Sequence, residues 1–282
     1  MNPGIHDLTD EQYHADPCPS PSLSNSIIKV LLSKSPLHAW HAHPRLNPKY
    51  QAFDSDRFDL GTATHAMLLT DTAKLCVIDA PDWRTKAAKE QREVARANGM
   101  TVLLAHQERK AREMLDVARE FISASPLLAP AFASGDSERT MVWKFADRIY
   151  CRAKYDKFSA ADNLMIDYKT SSSPNPEAFM RSSMLDFGYD TQSEFYCQGV
   201  ESITGRRPRF VFLVQEDSAP YSCYIVEAGP SMQALAEHKV TRAQALWNHC
   251  LKRDEWPGYI GPHDIYTAEA PAWAIQQEEM TP

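Results

Sequence analysis

The stretch Arg148–Lys169, RIYCRAKYDKFSAADNLMIDYK, reads as two short strands joined by a tight turn. Asp156 stands near the end of the first strand, and Asp167 and Lys169 stand in the second. Alternation along a strand puts Asp167 and Lys169 on one face and Tyr168 on the other. A turn centred on Ala161-Asp162 sets Asp156 directly across from Asp167, on that same face. Opposed like charges destabilise a hairpin. Two carboxylates so placed imply a cation between them, with Lys169 within reach of the same site. From the D-x-K triplet alone, a surface hairpin with a Lys169–Asp156 salt bridge is the better reading, because such triplets are common by chance.

Working outward, Glu138–Phe145 (ERTMVWKF) alternates and completes a three-stranded antiparallel meander. Ser171–Pro176 reads as a loop and Glu177–Met184 as a helix. Thr191–Thr204 is a stronger helix ended by Gly205, with Gln192 and Tyr196 on one face. Arg209–Gln215 is nearly all apolar, as a buried central strand would be, and Tyr221–Glu227 is a further strand. Pro230–Lys252 is a long amphipathic helix; the tail beyond it reads as irregular, its aromatics expected to pack back onto the domain.

On the N-terminal side, residues 1–23 read as an extended arm. Ser24 caps a helix over Asn25–His41, which Pro36 divides near Ser33–Ser35. His38, His41 and His43 do not share a helix face, so a solvated, frayed helix end is the better reading than a metal site. Residues 44–57 read as a polar loop, and Phe58–Leu69 (FDLGTATHAMLL) as a helix. There Gly61 lies one turn before His65 and permits close approach; a packed core histidine is an equal reading. A strand is expected over residues 74–82. Arg84, Lys86, Lys89, Arg92 and Arg96, then Arg109, Lys110 and Arg112 on a helix over 105–124, are the candidates for phosphate contacts, with a solvated helix face as the equal alternative.

The chain of 282 residues, 43% hydrophobic, can bury one large core. No apolar run suits a membrane span, and the N-terminus does not read as a secretory signal. The six cysteines form no CxxC pair, so neither zinc nor an iron–sulfur cluster is expected, and a reduced cytoplasmic setting is. The net charge of −7 argues against coating nucleic acid by bulk charge, but not against a local basic channel.

Carboxylates on adjacent strands with a neighbouring lysine suit metal-assisted phosphodiester hydrolysis, with Mg²⁺ or Mn²⁺ preferred by hard oxygen ligands. GTATHAMLL at 61–69, CRAKYDKF at 151–158, IDYKTS at 166–171 and QSEFY at 192–196 shift the balance toward that chemistry. In this order and spacing they resemble the PD-(D/E)XK nuclease superfamily, within it the RecB-like and RecE-like (exodeoxyribonuclease VIII) exonucleases of phages and prophages.

The resemblance implies an α/β fold with a central mixed β-sheet flanked by helices, as one domain over 24–282. It implies His65, Asp156, Asp167 and the Tyr168 carbonyl around Mg²⁺ (or Mn²⁺), with Lys169 as the catalytic lysine. It implies that Gln192 and Tyr196 lie along the site and help hold the DNA end, and it gives Glu138 at most a secondary role. It further implies 5′→3′ digestion of linear duplex DNA in phage-type recombination in the bacterial cytoplasm. A ring-shaped homo-oligomer and a single-strand annealing protein as partner also follow from it. The alternatives are an endonuclease of repair or restriction type, and a non-catalytic DNA-binding protein on the same fold. The second acidic motif is D-x-K where many members have E-x-K, and the four-cysteine frame of some relatives is missing.

Overall fold

The apolar run Phe210–Gln215 is buried throughout, and the sheet is built around it. The structure, a computed structural model, describes residues 1–51, 60–70, 75–146, 148–173, 175–261 and 263–280. In chain order come β1 (Gly4–His6), α1 (Asp10–His14), α2 (Asn25–Ser33), α3 (Pro36–Ala42), α4 (Leu60–Leu69), β2 (Leu75–Ile78), α5 (Lys86–Ala97) and β3 (Thr101–Leu104). They continue with α6 (Ala105–Ala124), α7 (Leu128–Ser134), β4 (Asp136–Phe145), β5 (Ile149–Ser159) and β6 (Leu164–Ser171). After these follow α8 (Pro176–Ala178), a π-helical turn at Phe179–Ser183, α9 (Met184–Asp186), α10 (Tyr189–Thr204), β7 (Arg209–Glu216), β8 (Cys223–Val226), α11 (Pro230–Arg253) and α12 (Ala272–Glu279). Parts of the loop expected over 44–57, and the starts of the helix expected from 58 and of the strand expected from 74, fall outside the described residues.

The main sheet runs β1-β4-β5-β6-β7-β8, and a parallel pair, β2-β3, stands apart from it. Only β6 and β7 pair in parallel within the main sheet, so it is mixed, as expected. One face carries Trp143, Met165, Phe195, Phe212 and Trp247. The other carries Leu128, Leu164, Ile166, Tyr168 and Leu213. Consecutive β6 residues thus alternate between the two cores, which leaves Asp167 and Lys169 on the α10 side.

Helix α10 approaches the sheet closely at Gly199. A Cβ there would lie 3.0–3.2 Å from the ring of Trp143. That ring is buried and sits 4.6 Å from Phe195, so it has nowhere to retreat. Overpacking costs about 1–3 kcal/mol, while alanine regains about 1 kcal/mol of helix propensity. Gly199→Ala is therefore expected to lose about 1 kcal/mol net in urea unfolding; an unchanged midpoint would show that the contact is loose.

Four expectations are corrected. Residues 1–23 are not a plain extended arm. Gly4–His6 pairs with Val142–Thr140, and Leu23 exchanges backbone hydrogen bonds with Tyr150 and Arg152. A three-residue edge strand is too short to show an alternating pattern.

Second, His43 is fully buried rather than solvated, because Asp16 needs it. The Asp16 carboxylate accepts from Ser22 N–H at 2.8 Å and lies 3.3 Å from both His43 Nε2 and Arg152 Nη1. Burial pushes the Asp16 carboxyl up, but His43, Arg152 and Ser22 together hold it down at about 2. Third, the helix expected over Glu177–Met184 is interrupted by the π turn.

Last, the tail packs back only at its start. Trp256 meets Trp247 at 5.2 Å and Tyr259 meets His38 at 5.2 Å, while Tyr266 and Trp273 are 80% and 68% exposed. The tail also closes on a helix, α12, where an irregular segment was expected. Among the described residues no helix is long and apolar enough to cross a membrane.

Candidate metal centre

Strands β5 and β6 pair from Lys157↔Ile166 to Ser159↔Leu164, the register that sets Asp156 opposite Asp167. One step further the ladder opens. The Tyr168 N–H donates instead to Asp156 Oδ2, at 2.8 Å. In a strand the N–H and C=O of one residue face the same neighbour, so the Tyr168 carbonyl also faces the Asp156 side. On the α10 face Asp167 Oδ1 accepts from Gln192 Nε2 at 2.5 Å. Asp167 Oδ2 forms an ion pair with Lys169 Nζ, outside hydrogen-bond geometry. The same ammonium lies 4.9 Å from the centroid of the Tyr189 ring.

Helix α4 brings His65 to this opening. Ala63 and Met67 anchor the helix in the core, while Gly61 and His65 line a cleft of about 420 Å³ together with Lys169 and Tyr189. His65 Nε2 lies 2.9 Å from Asp156 Oδ2, and Nδ1 lies 3.8 Å from Glu138 Oε1. Glu138 is flanked by the pairs Ser137↔Lys157 and Arg139↔Tyr155, so register sets it against Asp156. Its φ of +55° falls in the left-handed region, which costs a side-chain-bearing residue about 1 kcal/mol. Glu138 Oε2 also accepts from Lys154 Nζ at 2.8 Å.

Ligand atoms of His65, Glu138 and Asp156 all lie within 4.8 Å of one another, a group able to hold a metal ion. Two carboxylates and one imidazole, with a backbone carbonyl alongside, form an oxygen-rich donor set for a divalent cation.

The structure therefore brings His65, Asp156, Asp167, Tyr168 and Lys169 together, but gives Glu138 a larger share than the sequence did. Its signal was available, since an acid on the strand before Asp156 sits in register with it. Tyr189 and Lys154 were missed. Gln192 and Tyr196 are both buried, each 8% exposed, with Gln192 bonded to Asp167. Tyr196 packs against Phe210, with ring centroids 6.4 Å apart.

None of the eight basic residues expected to contact phosphate lines the cleft. Arg84 pairs with Asp82, Lys86 with Glu90, and Arg112 with Glu108. Arg92 lies over Trp83 and beside Glu93, and Lys110 lies over Tyr221. On α6 the cations Arg109, Lys110, Arg112 and Arg119 are matched by Glu108, Glu113, Asp116 and Glu120. Arg109 lies on α6 among those acids, and Lys89 lies on α5 next to Glu90.

Burial lowers the affinity of His65 for a proton, but Asp156 and then Glu138 outweigh it and lift the pKa to about 9. Burial raises the Asp156 carboxyl, yet His65 and Lys169 pull it below its ordinary value. Asp167 goes the other way: burial and the Asp156 charge raise it, against the pull of Lys169. Burial lowers Lys169, but Asp167 and Asp156 outweigh that and raise it.

A histidine raised in the fold adds stability that is full below its unfolded pKa of about 6.5 and lost as pH rises through the folded value. In EDTA, the protein is expected to lose about 1–2 kcal/mol of stability between pH 6 and pH 9.5 through this group. Urea unfolding of His65→Gln should show correspondingly less change. Equal pH profiles would show that the pair contributes nothing.

Residues 24–269 match the family model described as "PDDEXK-like domain of unknown function (DUF3799)". No curated protein matches the chain. Among solved structures, a "putative exonuclease" from Eubacterium rectale superposes with a TM-score of 0.58 at 12% identity. That alignment covers 95% of this chain and 98% of the other, and shows a shared fold. A phage related exonuclease from Haemophilus somnus 129PT aligns at 13% identity and a TM-score of 0.31, over 68% of this chain and 95% of that one. The match over residues 24–269, together with the mixed sheet and the opened hairpin it carries, places the chain in the PDDEXK-like family DUF3799.

Proposed function

We propose that the chain is a metal-dependent deoxyribonuclease that hydrolyses phosphodiester bonds at the ends of linear duplex DNA. The observation that carries this is the Asp156–Asp167 opposition across an opened hairpin, with His65 and Glu138 on one side and Lys169 on the other. A structural salt bridge would need one carboxylate and one cation. Here two carboxylates and an imidazole converge, with the Asp167 carboxylate across the hairpin, beside an accessible cleft.

His65, Glu138 and Asp156 would hold the cation, with the Tyr168 carbonyl and Asp167 adjacent. When bound, a hard divalent cation acidifies a water molecule and neutralises charge on the phosphate. Lys169, kept protonated by Asp167 and Asp156, donates to the phosphate oxygens as negative charge develops. Gln192 fixes the Asp167 carboxylate, so the pair does not rotate away from the cleft.

The exonuclease sense draws on the name borne by the Eubacterium rectale structure. Digestion 5′→3′, a role in phage-type recombination, a homo-oligomeric ring, a single-strand annealing partner and a bacterial cytoplasmic setting are parts of the same proposal. Linear duplex and covalently closed circular DNA, incubated with Mg²⁺, separate the readings. The expected result is loss of the linear DNA with the circle intact. A cut circle would establish an endonuclease instead.

A further inference from the structure

A second cavity, of about 250 Å³, adjoins the cleft. Tyr189 lines the cleft, and its chain neighbours Gly188 and Asp190 line the second cavity. Three cations face it: Lys29 from α2, and Lys239 and Arg242 from α11. Lys239 is spent on the buried Asp190, at 2.6 Å, and Asp186 also stands on the wall. Lys29 Nζ donates only to the Phe187 carbonyl, at 3.1 Å. Among the described residues, neither Lys29 nor Arg242 pairs with a carboxylate. Burial lowers the Lys29 pKa, and so does Lys169, against Asp167. The Lys29 ammonium therefore lies within the field of the proposed metal centre.

Aromatic rings connect the two places. The Tyr189 ring lies under the Lys169 ammonium, and Phe187, 56% exposed, lies 5.7 Å from Tyr189. Cations without carboxylate partners, interleaved with accessible aromatic faces, are what a single nucleic-acid strand requires: phosphates go to the cations and bases to the rings. A peptide partner would not call for two cations without ion pairs beside a phosphodiester-cleaving centre.

We infer that this cavity is a second nucleotide subsite, in which Lys29 and Arg242 hold a phosphate of the strand being cut, while Phe187, exposed outside its lining and tied to Lys29 through its carbonyl, stacks a base. The inference rests on the nuclease reading and assigns the substrate strand a path from Lys169 across Tyr189 and Phe187.

The test is fluorescence anisotropy of the full chain with a labelled single-stranded ten-nucleotide DNA, in EDTA so that binding is read without cleavage, over a salt series. Lys29→Gln and Arg242→Gln are each expected to flatten the plot of log affinity against log salt by about 0.7. Phe187→Ala is expected to weaken binding about tenfold with the slope unchanged. Lys252→Gln, on the last turn of α11, should change neither. A generally destabilised protein would not separate slope from affinity in this way.

Repeating the series with a 5′-phosphorylated probe distinguishes a terminal phosphate from an internal one. Losses larger on that probe assign the terminal group, and equal losses assign a phosphodiester. Wild-type affinity and slope in the Lys29, Arg242 and Phe187 variants alike would overturn the subsite, even if the wild type digests linear DNA under Mg²⁺. If the wild type neither binds nor cuts, both readings fall.

Discussion

Replacing Lys169 with alanine is expected to lower the cleavage rate of linear duplex DNA by at least about a hundredfold to a thousandfold while leaving the fold intact. The lysine sits at the end of β6, where the strand faces the cleft, and its neighbours are Asp167 and the Tyr189 ring rather than core side chains. Its removal takes away an ammonium placed to meet charge developing on a phosphate in that cleft. It also leaves Asp167 buried without its counter-ion, so some loss of stability accompanies the loss of rate. Circular dichroism and a melting curve separate the two effects. A Lys169→Ala protein that is folded and digests linear DNA at the wild-type rate would remove the lysine from the chemistry.

Asp167→Asn has a second large effect, with opposite consequences for activity and stability. The asparagine cannot supply the second carboxylate charge, so cleavage is expected to fall to background. Burial and the Asp156 charge hold the Asp167 carboxyl above its ordinary pKa, which means that ionising it costs folding energy. An acid raised in the fold binds its proton more tightly folded than unfolded. Its contribution is therefore lost as pH climbs from the unfolded value through the folded one.

At pH 8 in EDTA the neutral asparagine is expected to be more stable than the wild type, by on the order of 1 kcal/mol. Adding Mg²⁺ should reverse the ranking, because the cation held by His65, Glu138 and Asp156 binds more tightly to the protein that keeps the Asp167 charge beside it. Urea unfolding of both proteins, with and without Mg²⁺, gives the comparison. A wild type that remains the more stable in EDTA would show that Lys169 and Gln192 fully compensate Asp167.

Much of this centre was legible in the sequence because period-two alternation and hairpin register obey simple arithmetic. A turn centred on Ala161-Asp162 requires Lys157 to meet Ile166, and it does. The same arithmetic sets Glu138 against Asp156, but the Glu138 backbone, at positive φ, is a local departure that pattern alone does not announce.

Long-range placements were less legible. That His43 closes on Asp16, or that Leu23 is stitched to β5, depends on which buried charge finds which partner across the chain. The QxxxY pair was visible as two side chains on one helix face. Their depth was not: the sequence does not say that α10 packs tightly enough on Trp143 to bury that face. The basic residues of 84–112 stand apart from the cleft, and charge counted along a chain ignores the i,i+4 acids that pair with some of it on a helix, as Glu90 does with Lys86 and Glu108 with Arg112.

Metal dependence tests the assignment of the centre most directly. Linear duplex DNA incubated with the wild-type protein and Mg²⁺ is expected to be digested, to be spared when EDTA is added, and to be digested again when Mg²⁺ is restored in excess. Digestion that persists unchanged in EDTA, or DNA that stays intact under Mg²⁺ and under Mn²⁺ alike, would contradict it.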